Sequence, residues 1–472
     1  FGSQHLTPDG RNIVNEELYA KFKLTEPSRN SLNKALQHSL RKRIYNFSRT
    51  EATISKYDKM KKEAAANPKK ENEKKKEAAA NPKKESAEEG NNCEVDGQVM
   101  TCGAVTDEDI VSIRKDEKKK VDWKGKLYLS PLTTVGNLPF RRICKKFGAD
   151  VTCGEMAMAN CILSGSLQEW ALIKRHESED LFGVQLCGNN PYAMTRAAQL
   201  IEDVAEVDFI DVNLGCPIDF VYNQGCGAGL LRREKVLRSV ITCMSDTVNI
   251  PVTVKTRTGV HTDRNIAHSL MPKFRDWGAS LVTVHGRSRE QRYTKLPDWD
   301  YIEQCAQLAS PCPVFGNGDI LSFEDYEQAF VDSPSITGVM IGRGALIKPW
   351  IFTEIKERRN WDISSSERFD ILKLYVNNGL EHWGSDTKGV ENTRRFLLEW
   401  LSFLHRYIPV GLLEYPPQKL NQRPPYYRGR DDLETLMASS SCADWVKISE
   451  MLLGPVPDNF VFLPKHKANS WK

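Results

Sequence analysis

The stretch Asp211 to Leu231, DVNLGCPIDFVYNQGCGAGLL, puts a cysteine where an interior strand stops. Phe209 through Leu214 read as a short buried strand, and Gly215, Cys216 and Pro217 break it at once. Pro217 lacks a backbone N–H and Gly215 permits turns that other residues resist, so Cys216 is expected on a stiff corner at the strand's carboxyl end. Barrels and open α/β sheets place their chemistry at such ends. Most single cysteines are packing residues. Here Gly225, Gly227 and Gly229 follow in one loop, and alternating glycines let a backbone approach a flat or anionic ligand.

Strand-like runs recur on both sides of this corner: KLYLSPL from Lys126, ADVTCGEM from Ala149, FGVQLCG from Phe182, FIDVNLGCP from Phe209, PVTVKTR from Pro251, LVTVHGR from Leu281, PVFGNGD from Pro313 and GVMIGRGAL from Gly338. Eight runs at roughly thirty-residue spacing, with helix-like segments between most of them, predict an α/β fold, a (β/α)8 TIM barrel. A doubly wound sheet is the rival, but it usually has fewer strands and a glycine fingerprint after the first. The first run here ends in Ser130-Pro131-Leu132. In a barrel, Gln185, Cys216, Lys255, His285, Asn317 and Arg343 converge on one rim.

Residues 121–359 are assigned to the barrel and 360–472 to an all-helical domain with a basic tail. Helices are expected over Glu367–Trp383, Asn392–Tyr407, Asp431–Ala438 and Ala443–Leu453. Phe396, Leu397, Trp400, Leu401 and Leu404 form an apolar stripe suited to helix packing. Between these pairs lies PPQKLNQRPPYYRGR, Pro416–Arg430, with basic residues, no acid and two adjacent tyrosines. Stacking on unpaired bases and an exposed proline-rich connector both fit it.

Residues 1–60 read as a partly disordered extension with one amphipathic segment, Leu36–Tyr57, whose Arg41, Lys42 and Arg43 suit a solvated face or RNA phosphates. Residues 61–120 are a charged linker in which KKEAAANPKKE occurs at Lys61 and again at Lys75. Cys93 and Cys102 have no nearby histidine and complete no zinc site, so no metal is expected. A net charge of +4 on 472 residues neither demands nor excludes a nucleic-acid partner. Twelve scattered cysteines favour reduced thiols and residence in cytoplasm or nucleus. No apolar run is long enough to span a membrane, and oligomeric state is not legible.

The rim chemistry points to a flavin. The last two barrel loops, Gly316-Asn317-Gly318-Asp319 and Gly342-Arg343-Gly344-Ala345, occupy the usual phosphate position of this architecture. Exposed amides and the Arg343 guanidinium would hold a phosphate there. A lysine such as Lys255 at a strand end is seldom structural, because its charge must be solvated or paired. Flavin mononucleotide (FMN) satisfies the whole set: Lys255 against charge on the reduced ring, Gln185 on the ring's polar edge, and the far loops on the phosphate. A sugar phosphate accounts only for the last of these.

The series SPL, QLCG, NLGCP with GCGAGLL, VKTR, VHGR, GNGD and IGRGAL resembles the tRNA-dihydrouridine synthases from Lys126 to about Arg358. LRKRIYNFSRTE, LTTVGNLPFRRICKKFGADVTCGEMA, RPPYYRGRDDLETL and ADWVKISEMLLGPVPDNFVFLPKHKAN resemble the eukaryotic class acting on position 47 of the tRNA variable loop. That resemblance implies reduction of a uridine to 5,6-dihydrouridine by FMN recharged by NADPH or NADH, with Cys216 protonating carbon 5. It further implies flavin contacts from Pro131, Leu132, Thr133, Gln185, Lys255, His285, Asn317, Gly318, Asp319, Gly342 and Arg343. Asn213 would hold the flavin or base, and Arg257, Tyr426, Tyr427, Arg428 and Arg430 the tRNA. Messenger RNA is a further candidate substrate. Members of that class often carry CCCH zinc fingers near the N-terminus; this sequence shows none, so any such contact is expected upstream of Phe1 or not at all.

Two rival readings stand beside this one. A barrel oxidoreductase of small pyrimidines, related to dihydroorotate dehydrogenase, keeps the flavin but needs no basic helical appendage. An inactive tRNA-binding barrel would not need Cys216, Lys255 and His285. Cys226 lies ten residues from Cys216, and two unrelated thiols are expected there rather than a disulfide.

Overall fold

A computed structural model describes residue 17 and residues 28–66, 118–291, 295–416, 422 and 424–465. The predicted runs form eight parallel strands: β1 Leu127–Leu129, β2 Val151–Cys153, β3 Leu181–Cys187, β4 Phe209–Asn213, β5 Val252–Arg257, β6 Leu281–His285, β7 Val314–Asn317 and β8 Gly338–Ile341. Each pairs with the next, and Ile341 of β8 lies opposite Leu129 of β1, so the sheet closes. Closure excludes the doubly wound alternative. The strands are rich in Val, Ile and Leu because both of their faces are buried, one on helices and one on the barrel interior.

Residues alternate between those two faces. Leu127 and Leu129 join the main core beneath the helices, whereas Tyr128 joins an inner cluster with Trp123, Phe209 and Phe315. The rings of this cluster meet edge to face, Trp123 with Phe209 at 5.3 Å and Tyr128 with Phe209 at 5.9 Å. They plug the barrel below the strand ends that carry polar groups. Glycines on neighbouring strands make the room: a Cβ at Gly183 would lie 2.2 Å from the Phe209 ring, and one at Gly338 would lie 2.6 Å from that of Phe315.

The expected segment Leu36–Tyr57 is two helices, Lys34–Lys42 and Ser48–Ala66, separated where Arg43 takes a left-handed conformation. Leu40 and Ile54 pack inward, and the Thr50 N–H and hydroxyl both donate to Gln199 Oε1, at 3.1 Å and 2.9 Å. Arg41, Lys42 and Arg43 are exposed, so this part of the extension docks on the barrel and leaves its basic cluster in water. The first repeat begins inside the second helix; its remainder, the second repeat, Cys93 and Cys102 lie outside the described residues.

Among the described residues four helices follow the barrel: Ser365–Trp383, Thr387–Leu404, Asp432–Met437 and Cys442–Leu453. The second starts earlier than its apolar pattern suggested, because Asp386 caps it through the Gly389 N–H. Its stripe packs as expected: Leu397, Trp400, Leu401 and Leu404 are buried, and Phe396 stacks on Trp383 at 4.8 Å. Trp400 Nε1 also donates to the Leu346 carbonyl at 2.9 Å, which fastens the helices to the short helix Arg343–Ile347 after β8. Among the described residues no helix is long and apolar enough to cross a membrane.

Gly183→Ala is expected to cost about 1–3 kcal/mol through overpacking against Phe209. A denaturant titration followed by circular dichroism checks this, and an unchanged midpoint would contradict the tight inner layer.

Candidate active site

Register brings the polar strand ends together. Gln185 lies opposite Asp211, Asn213 opposite Lys255, Arg257 opposite His285, and His285 opposite Asn317. All of these but Asp211 line a cavity of about 290 Å³ at the carboxyl end of the barrel. Pro131, Leu132, Thr133, Cys216, Gly318, Asp319, Gly342 and Arg343 complete its wall. Every residue proposed from the sequence for catalysis or flavin binding is therefore in one place, together with Arg257.

Asn213 organises the Cys216 side. Its Oδ1 accepts from the N–H groups of Gly215 at 3.1 Å and Cys216 at 2.9 Å, which fixes the corner. Its Nδ2 donates to Gln185 Oε1 at 2.7 Å, and Gln185 Nε2 donates to Asp211 Oδ2 at 2.7 Å. Asp211, buried below, also accepts from Thr253 Oγ1 at 2.7 Å. Gln185 thus presents its second amide hydrogen to the cavity with its orientation locked. Arg257 holds the corner from the other side, its Nε donating to the Gly215 carbonyl at 2.7 Å. Burial raises the Cys216 thiol pKa, moderated by the Ile218 N–H and by Arg257 and Arg289.

The opposite end is cationic. Asp319 accepts from Arg287 Nη1 at 3.0 Å and is paired with Arg343 as well. Asp319 lines the cavity and, through its ion pair, also aims Arg343. Burial, with Arg257 beside it, brings Lys255 down to about 8. Its amine reaches Asn317 Oδ1 at 3.4 Å. Burial and the cations Arg257, Lys255, Arg287 and Arg343 hold His285 well below its ordinary pKa, so it is neutral.

This donor set fits a flavin mononucleotide at both ends. The Lys255 amine, Gln185 and the neutral His285 would hold its ring, while Arg343 and the amides after β7 and β8 would hold its phosphate.

The Dihydrouridine synthase (Dus) family model matches residues 128–402, from β1 to the helix Thr387–Leu404. The chain belongs to the dihydrouridine synthase family. A Homo sapiens relative, "tRNA-dihydrouridine(47) synthase [NAD(P)(+)]-like", is 58% identical over 474 residues, covering 100% of this chain and 73% of its own length. A protein of the same name from Oryza sativa subsp. japonica is 60% identical over 356 residues, 75% of this chain and 52% of its own. The Coprinopsis cinerea tRNA-dihydrouridine(47) synthase [NAD(P)(+)] is 54% identical over 378 residues, 77% of this chain and 56% of its own.

In this Dus barrel the glycine loop serves a different end from the one expected. Gly225, Gly227 and Gly229 do not line the cavity. Gly227, at φ +55°, folds against Cys216, whose Cβ would lie 2.9 Å from an added Cβ, and an added Cβ at Gly229 would meet the Tyr222 carbonyl at 2.5 Å. The loop supports the acid corner instead of a ligand. Cys226 shares a small buried cluster with Cys187 and Cys216, and the Cys187 thiol donates to it, which makes Cys226 the more acidic of that pair.

The proposed RNA residues separate as well. Arg430 is engaged by Asp362 and Glu434 and donates to the Ile363 carbonyl at 3.1 Å, so it ties the segment to the helices rather than standing ready for phosphate. Tyr427 is partly buried and its hydroxyl donates to the Tyr407 carbonyl at 3.2 Å. Tyr426 is 94% exposed and Arg428 is exposed, leaving these two open to RNA. Tyr426 and Tyr427 line a groove apart from the cavity. Phe403, from the helix Thr387–Leu404, lines the cavity itself; one aromatic in an apolar helix gave no sign of this.

Lys255→Met should make bound flavin harder to reduce by removing the cation facing the reduced ring. The difference from wild type is expected to be larger at about pH 7 than at about pH 9, because the lysine loses its proton as pH rises through its value near 8. Potentiometric titration checks this, and equal midpoints at both pH values would contradict the placement.

Proposed function

We propose that this chain reduces a tRNA uridine, that at position 47 of the variable loop, to 5,6-dihydrouridine, with FMN as resident cofactor and NAD(P)H as reductant. One observation carries the reading: Cys216 stands in the wall of the same cavity as the flavin-type donors Gln185, Lys255 and Arg343. The family match and the relatives' names point to tRNA, to position 47 and to NAD(P).

A base stacked in RNA cannot reach a cavity at the barrel mouth, so the uridine must turn out of its stack. Flavin, when bound, supplies the hydride to carbon 6. The rest falls to the chain. Cys216 gives its S–H proton to carbon 5, the carbon–carbon double bond becomes single, and the thiolate regains a proton from water. The upward shift of the thiol serves this, because a proton donor must be protonated at neutral pH. Arg257 keeps the corner turned toward the cavity through the Gly215 carbonyl. Lys255 and Gln185 would orient the flavin, and Arg343, aimed by Asp319, would hold its phosphate.

Messenger RNA presenting an extruded uridine in the same way is a second substrate class within this proposal. Cytoplasm or nucleus is the proposed compartment, supported by cysteines that are all free among the described residues.

Cys216→Ala is expected to keep the flavin and to slow dihydrouridine formation by about 100-fold or more. Nucleoside mass spectrometry of tRNA treated with flavin-loaded protein and NADPH checks it. A variant as fast as wild type would remove Cys216 from the proton-donor role.

A further inference from the structure

The loop after β1, which gives Pro131, Leu132 and Thr133 to the cavity, contains a backbone outlier. Thr134 has φ +76°, a conformation that β-branched residues rarely adopt. All three of its polar groups are held, two of them by distant parts of the chain. Its N–H donates to Glu155 Oε2 at 2.6 Å, its carbonyl accepts from Asn137 Nδ2 at 3.1 Å, and its Oγ1 accepts from Lys465 Nζ at 3.0 Å. Glu155 follows β2 and is 9% exposed. Lys465 belongs to the segment after the last helix.

That segment is itself tied down. Arg394 Nη2 donates to the carbonyls of Leu453 at 3.2 Å and Gly454 at 2.8 Å at its start. The Lys465 N–H donates to the buried Glu399 at 3.2 Å at its end. The strap therefore returns from the helical domain to the barrel mouth with little slack.

We infer that Glu155 and Lys465 are positioning residues for the flavin, holding the Thr134 turn and thereby the Pro131–Thr133 wall, so that the C-terminal strap helps to build the cofactor site. Strained backbone persists only where its surroundings over-determine it, and strain at a cavity wall is spent on presenting the adjacent backbone. Without the clamp the turn relaxes and the wall moves away from the ring. The inference rests on the flavin reading of the cavity.

The test is FMN affinity by fluorescence quenching, alongside the melting temperature of the flavin-free protein, for wild type, Lys465→Met, Glu155→Ala, Thr134→Gly and the double variant T134G/E155A. Lys465→Met should weaken binding about three-fold and Glu155→Ala about ten-fold. Glycine adopts the left-handed turn without strain, so E155A should cost about two-fold or less when made on top of T134G. A purely structural role for Glu155 would give equal losses in both backgrounds and overturns the inference. So does wild-type affinity in both single variants. Lys465→Met lies on an exposed strap and remains informative should Glu155→Ala not fold. Failure of the wild-type protein to bind FMN would overturn the flavin reading itself, a result distinct from loss in the variants alone.

Discussion

One carboxamide links the two halves of this site. Asn213 ends β4 and faces both ways: its oxygen gathers the amides of Gly215 and Cys216, and its nitrogen is bound to Gln185. The Cys216 corner and the Gln185 amide are thereby set relative to each other by a single side chain. Asp211 anchors the chain of bonds from below, inside the barrel and above the ring plug of Tyr128 and Phe209. Such a buried network is costly when partly satisfied and rigid when complete, and here each member has its partner.

Around that linkage the charge is unbalanced. Lys255, Arg257, Arg287 and Arg343 all act on His285, while Asp319 and Asp211 are the carboxylates nearest at hand. A surplus of buried cations is unfavourable in an empty protein and becomes favourable when an anion enters. The same field keeps His285 neutral, so it can donate or accept without carrying charge. It also tempers the Cys216 thiol, whose shift from burial would otherwise be larger. Under the proposed function, phosphate binding, ring binding and proton delivery would be three consequences of one distribution of charge.

Much of this was legible before any coordinates. Strand ends are short apolar runs broken by glycine or proline, and a parallel barrel brings all such ends to one rim, so Gln185, Asn213, Cys216, Lys255, His285, Asn317 and Arg343 could be grouped from sequence. What escaped depends on pairings between distant residues. Nothing local announces that Asp319 pairs with Arg287 and Arg343, or distinguishes an Arg430 engaged by Asp362 and Glu434 from one open to RNA. The glycines after Cys216 do mark close approach, but the approaching groups belong to the chain itself, Cys216 at Gly227 and the Tyr222 carbonyl at Gly229. Phe403 was hidden in a helix stripe, and the Thr134 clamp joins residues 331 apart in sequence. The single amphipathic segment expected near the N-terminus broke into two helices because Arg43 turns the chain, a conformation that residue type does not announce.

The central claim is that Asn213 couples the cofactor side to the acid side. It is tested most directly by Asn213→Ala, measuring FMN affinity and, at saturating FMN, the single-turnover rate of dihydrouridine formation on tRNA. The account predicts that both fall together, affinity by about ten-fold or more and the rate by about 100-fold. A variant that loses one and keeps the other at the wild-type level would show that the two sides are positioned independently.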